Sequence, residues 1–191
     1  MTPFEFAFTL LAFVLGLAIA EILGGFVRVL RARTEAPDEN IRIRIGWQTP
    51  ILGLVVTLDL IAFWWSAWVD RAGIPATFIS LIYAVGIAAI YYAAAALVFP
   101  SHPENWPNLD DWFVQHKGQV ATGIVAANVL LAIAERAMNG IWFSAEISMY
   151  TLIVYLAAAI GLIFARRHWQ SLTALLVLLG ALASLAARPF L

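Results

Sequence analysis

Asp59 stands thirteenth in a predominantly apolar run of 23 residues, 47–69. A charged side chain at the centre of a bilayer costs about 2.5–3.5 kcal/mol on insertion scales, so such a residue faces a partner, a cavity or a pathway. No residue of opposite charge lies three or four positions from Asp59, the spacings at which helical neighbours meet. Its helical face carries Leu52, Val55, Val56, Ala62, Phe63 and Ser66. Two roles fit a carboxyl in that setting. It exchanges a proton or holds a cation, with Ser66 beside it on the route. Alternatively it is hydrogen-bonded and ties its helix to a neighbour.

Two further groups of polar residues interrupt apolar runs. Lys117, Asn128 and Glu135 are separated by 11 and 7 residues, which places them within about 20° of one another on a helix. Such a stripe marks a face that lines a cavity or bonds to other helices, and Asn128, at mid-depth, is its most informative member. Glu21 shares a face with Gly24, Gly25 and Arg28. It either pairs with Arg28 or joins Asp59, Asn128 and Glu135 along a pathway. On an adjoining face Gly16, Ala20 and Gly24 repeat every four residues, a spacing that lets a second helix approach closely.

These residues must be positioned by transmembrane helices. A hydrocarbon core about 30 Å thick needs roughly 20 apolar residues per helix. Six stretches meet that requirement, at about 4–30, 47–69, 76–99, 112–138, 146–165 and 169–187. Hydrophobic residues make up 63% of the chain and charged residues 12%, against roughly 25% charged in soluble domains. The sequence therefore predicts an all-α fold, a polytopic bundle of six transmembrane helices forming one integral membrane domain over residues 1–191. The N-terminal run lacks a basic leader and extends beyond the apolar length of a signal peptide, so it is expected to remain as the first span.

Basic residues orient the bundle. Arg28, Arg31, Arg33, Arg42, Arg44, Lys117, Arg166 and Arg167 fall on one side, and Arg71, Arg136 and Arg188 on the other. The positive-inside rule then puts both termini on the non-cytoplasmic side, and the composition fits a bacterial inner membrane. Trp47, Trp68, Trp112, Trp142 and Trp169 fall at the predicted interfaces, while the deeper Trp64 and Trp65 are candidates for a ligand wall. Ile41-Arg42-Ile43-Arg44-Ile45 alternates strictly. It is expected to lie on the membrane with Arg42 and Arg44 toward anionic lipid at the cytoplasmic face, or to offer a strand edge to a partner.

Leu17-Ala18-Ile19-Ala20-Glu21 recurs as Leu131-Ala132-Ile133-Ala134-Glu135. If the recurrence reflects duplication, the bundle is a three-plus-three inverted repeat, an architecture that sets a transporter's site near the midplane.

Catalysis finds little support. The chain has no cysteine and carries no GxSxG, HExxH, P-loop or GxGxxG pattern, so no cofactor is called for. In the loop 100–111, Asp110 and Asp111 read as helix-start carboxylates. The alternative adds His102, Glu104 and His116 as a His/carboxylate metal site. The net charge of −1 argues against nucleic acid. Two functions follow: a small transporter or channel for a proton, cation or small metabolite centred on Asp59, or a non-catalytic component. The second binds a partner or lipid through Gly16, Ala20, Gly24, Arg42 and Arg44, and forms a homo-oligomer.

Overall fold

The computed structural model describes residues 3–35, 43–69, 77–139 and 149–186. They form six helices: α1 (Pro3–Thr34), α2 (Gln48–Val69), α3 (Phe78–Ala96), α4 (Leu109–Asn139), α5 (Met149–Phe164) and α6 (His168–Ala186). A single 3-10 turn, Pro103–Asn105, stiffens the α3–α4 loop. The expected spans and the helices coincide to within a few residues. α1, α2, α3 and α4 are long and apolar enough to cross a membrane, and α5 and α6 are shorter apolar helices.

α2 is central. It packs against α1, α3, α4 and α6, while α1–α3, α3–α4, α4–α5 and α5–α6 contacts close the remainder of the bundle. Small residues set two of these approaches. A side chain at Gly123 on α4 would meet Ala94 of α3 at 2.9 Å, and one at Gly25 on α1 would meet Phe99 at 2.7 Å. Gly16, by contrast, has nothing within 4 Å. The Gly16–Ala20–Gly24 face of α1 looks outward, whereas Leu11, Leu15, Ala18, Ile22 and Val29 make its buried stripe.

One end of the bundle is tied by specific polar contacts. There Gln48 Nε2 donates to His168 O at 2.9 Å, and Thr49 Oγ1 donates to Leu109 O at 3.3 Å. Lys117 Nζ donates to Ala165 O at 2.5 Å and Ser171 Oγ at 2.8 Å. Gln170 Oε1 accepts from the backbone N–H groups of Arg166 and Arg167, closing the tight α5–α6 turn. Trp112 Nε1 is shared between Leu97 O and Val98 O, satisfying carbonyls at the end of α3.

The alternating Ile-Arg segment is only partly as expected. Ile43 is buried and Arg44 exposed. Its backbone edge is taken by this chain's own α3–α4 loop: Arg44 N–H donates to Pro107 O, and Leu109 N–H donates to Arg44 O. That edge is thus closed to a partner strand; Arg42 lies outside the described residues, as do Arg71, Trp142 and Arg188.

The two copies of the Leu-Ala-Ile-Ala-Glu run do not occupy equivalent places. Glu21 is half-exposed, and Glu135 is buried. α1 lies along α3, while the corresponding pair α4 and α6 makes no principal contact.

The close approach of α3 and α4 is testable. Gly123→Leu is expected to destabilise the bundle by about 1–3 kcal/mol through overpacking, while Gly86→Ala, with open space at Gly86, is expected to be neutral. Fluorescence-detected thermal unfolding in one detergent compares the pair, and equal melting of the two variants would contradict the packing.

Candidate functional site: a buried carboxyl among neutral donors

Asp59 is buried at the centre of α2, beside a cavity on which five helices, α2 to α6, converge. α3 supplies Tyr91, whose Oη donates to Asp59 Oδ2 at 2.8 Å. α4 supplies Asn128, whose Nδ2 donates to the same oxygen at 3.1 Å, to Tyr91 Oη at 3.3 Å and to Ile124 O at 3.0 Å. α5 supplies Tyr155, whose buried hydroxyl turns toward the carboxyl without reaching hydrogen-bond geometry. The Phe63 ring stacks obliquely on Tyr91 at 5.5 Å and holds it in place.

Every group that meets the carboxyl is neutral. Among the described residues no cation forms an ion pair with Asp59. Hydroxyl and amide donors stabilise a carboxylate by solvating it, and they also leave it able to bind a proton or a cation that arrives from outside. A cavity of about 40 Å³ adjoins the cluster, room for about two or three waters. Ser66, Thr151 and Leu182 share its wall with Asp59, Tyr91, Asn128 and Tyr155.

The surroundings differ along the bundle axis. Toward the polar-tied end the core is dry: Leu52, Val55, Val56, Val120, Ile124, Leu162, Leu175 and Leu178 are all buried to within 1%. Toward the other end α3 diverges from α2. The buried residues of α3 begin only at Ile87, and Phe78 and Ile79 are more than 70% exposed. The divergence leaves a chamber of about 550 Å³, whose wall includes Phe63, Ser66 and Leu131, residues that also line the small cavity. The chamber and the small cavity thus share a wall, and Asp59 lines the cavity.

The expected pathway residues separate. Asp59 and Asn128 touch, Ser66 lines both cavities, and Glu135 lines the chamber. Lys117 does not join them. It lies 11 residues before Asn128, about 16 Å along α4, where it caps the carbonyl end of α5 and sits 5.6 Å over the Phe113 ring. Glu21 also stays apart: its Oε1 accepts from Arg28 Nη2 at 2.6 Å on the outer surface of α1. Trp64 packs on Phe8 of α1, as does Trp68, and neither Trp64 nor Trp65 is among the described residues that line the cavity or the chamber. His102 pairs with Glu104 at 3.1 Å, and His116 stacks on Trp112 at 3.6 Å. Among the described residues no three His, Asp or Glu side chains gather as metal ligands. Asp110 and Asp111 occupy the first turn of α4, with Asp110 N–H donating to Asn108 Oδ1.

The two tyrosines are the residues that the sequence did not single out. Each lies well inside an apolar helix, away from its ends, and that depth is the signal that distinguishes them from interfacial anchors. Together, fold and site define a helical, membrane-type bundle with a carboxyl solvated by neutral groups from neighbouring helices. No family model, curated protein or solved structure matches the chain.

The cluster ranks its members energetically. Tyr91→Phe removes a hydrogen bond to a buried acceptor and is expected to cost about 1–3 kcal/mol. Tyr155→Phe is expected to cost less, because its hydroxyl makes no such bond. Thermal unfolding of the two variants checks the order, and a larger loss at Tyr155 would reverse the assignment. Lys117→Met is expected to cost about 1.5–3 kcal/mol through its charged hydrogen bonds, measured in the same way.

Proposed function

We propose that this chain is a small six-span transporter that moves a proton, a cation or a small cationic metabolite through Asp59. The observation that carries this reading is the asymmetric setting of the carboxyl. It meets only neutral donors, it lines a small cavity that shares a wall with a chamber in one half of the bundle, and it is backed by a dry core in the other half. A continuous channel would need both halves wetted. A carrier needs a binding group accessible from one side at a time, and that arrangement favours transport by a conformational change over passive conduction.

In this reading α5 and α6 also cross the membrane, completing six spans. The Arg-rich end, with Arg28, Arg31, Arg33, Arg44, Arg166 and Arg167, faces the cytoplasm of a bacterial inner membrane, and both termini lie on the opposite side. The mechanism does not require the three-plus-three repeat. Protonation or cation binding at Asp59 would neutralise the buried charge. That lowers the cost of closing the chamber side and opening the dry side.

A second reading is favoured by one observation, the outward Gly16–Ala20–Gly24 face of α1. A non-catalytic membrane component would use it, with Arg44 toward anionic lipid, to contact a partner or a second copy.

Sealed proteoliposomes with a trapped pH-sensitive dye and an imposed potassium-diffusion potential test the first reading. Wild type is expected to carry proton flux. Asp59→Asn is expected to lose it while eluting as a monodisperse, lipid-reconstituted protein. Flux undiminished in that variant would remove Asp59 from the mechanism. Absence of flux in both would favour the binding component.

A further inference from the structure

The chamber beside Asp59 has a shape and a polarity that narrow its ligand. Its volume, about 550 Å³, falls within the roughly 300–1,000 Å³ of small-molecule sites. Its wall is largely aromatic and aliphatic, from Phe4 and Phe8 on α1 to Phe63 on α2 and Ile87 on α3. The charged side chain on that wall among the described residues is another carboxyl, Glu135. At the inner end Phe63, Ser66 and Leu131 are common to the chamber and to the cavity of about 40 Å³ that holds Asp59.

We infer that the two spaces form one amphipathic binding site, whose ligand is a primary ammonium carried on a hydrophobic body. This rests on the reading of Asp59 as a group reached from the chamber side. The cavity, with room for about two or three waters, admits a small ammonium head. Asp59 supplies the counter-charge, and Tyr91 and Asn128 fix its orientation through the bonds they donate to Oδ2. An ammonium has three donors, and Asp59 Oδ1 and the Tyr155 hydroxyl stand as acceptors for them. The apolar body fills the space between α2 and the diverging half of α3. A phospholipid tail entering the same chamber would leave Asp59 without a counter-charge.

The probe that fits this chemistry is dansylcadaverine, a primary amine on a five-carbon linker with an environment-sensitive fluorophore. Binding is measured by its blue-shifted emission in lipid nanodiscs carrying the full chain, with empty nanodiscs subtracted. Saturable binding is expected. The N-acetylated probe, neutral but otherwise alike, is expected to bind about tenfold more weakly, as is the amine probe to Asp59→Asn. Ala84→Trp, which places an indole in the chamber, is expected to weaken both probes alike. If Asp59→Asn fails to fold, the comparison of the two probes on wild type still decides the matter. Equal binding of the amine and the acetylated probe would overturn the proposal and leave an apolar, lipid-filled chamber. Absence of saturable binding would overturn it as well. Either result would leave the proton-flux assay to stand by itself, and saturable amine binding without flux would sink transport while keeping the site.

Discussion

A carboxyl placed in hydrocarbon must be solvated by the protein, and the arrangement of this bundle follows from that constraint. Water is absent from the bilayer core, so donors have to come from neighbouring helices. Here α3 and α4 each bring one, and α5 brings a hydroxyl to the same place. Each contribution fixes the rotation of a helix about its own axis. Apolar packing alone would define these rotations weakly, because lipid is as apolar as the helix faces it competes with. The Asp59 cluster therefore specifies which faces of α2, α3, α4 and α5 point inward. Close approaches, such as Gly123 against Ala94, then become compatible with that rotation.

The rest of the structure divides on either side of this cluster. On one side a dry core is followed by a layer of polar ties: Gln48 to His168, Thr49 to Leu109, and Lys117 to Ala165 and Ser171. The first two join the beginning of α2 to the beginnings of α6 and α4, and Lys117 ties α4 to the beginning of α6 and to the carbonyl of Ala165 just past the end of α5. On the other side the Phe4, Phe8, Trp64 and Trp68 rings pack together, and Tyr83 Oη of α3 donates to Leu130 O of α4 at 2.6 Å. There α3 parts from α2.

Much of this was legible in the sequence because membrane solvent leaves a strong mark on it. The spans are continuous apolar runs, and their ends agree with the helices. Asp59 and Asn128 were legible because a polar residue at mid-depth has few benign explanations, and the two side chains touch. The stripe of Lys117, Asn128 and Glu135 was geometrically sound, but its members lie at different depths and meet different partners. A shared helical face says nothing about depth, and about 16 Å of α4 separates Lys117 from Asn128. Glu21 was undecided between a local pair and a pathway, and proximity to Arg28 settles it for the pair. Tyr91 and Tyr155 escaped notice because tyrosine is expected among apolar residues. Their role depends on which helices adjoin α2, information carried by tertiary packing and not by periodicity. The recurrence of Leu-Ala-Ile-Ala-Glu in α1 and α4 arose in two different environments, which five letters drawn mostly from Leu, Ile and Ala cannot distinguish.

The chain has one lysine, and it is enclosed within the bundle, 6% exposed and donating to Ala165 O and Ser171 Oγ. The other ten of its eleven Lys and Arg side chains are arginines. A guanidinium keeps its proton under any condition a cell reaches. The arginines at the polar-tied end thus carry a permanent charge and offer no free amine for acylation.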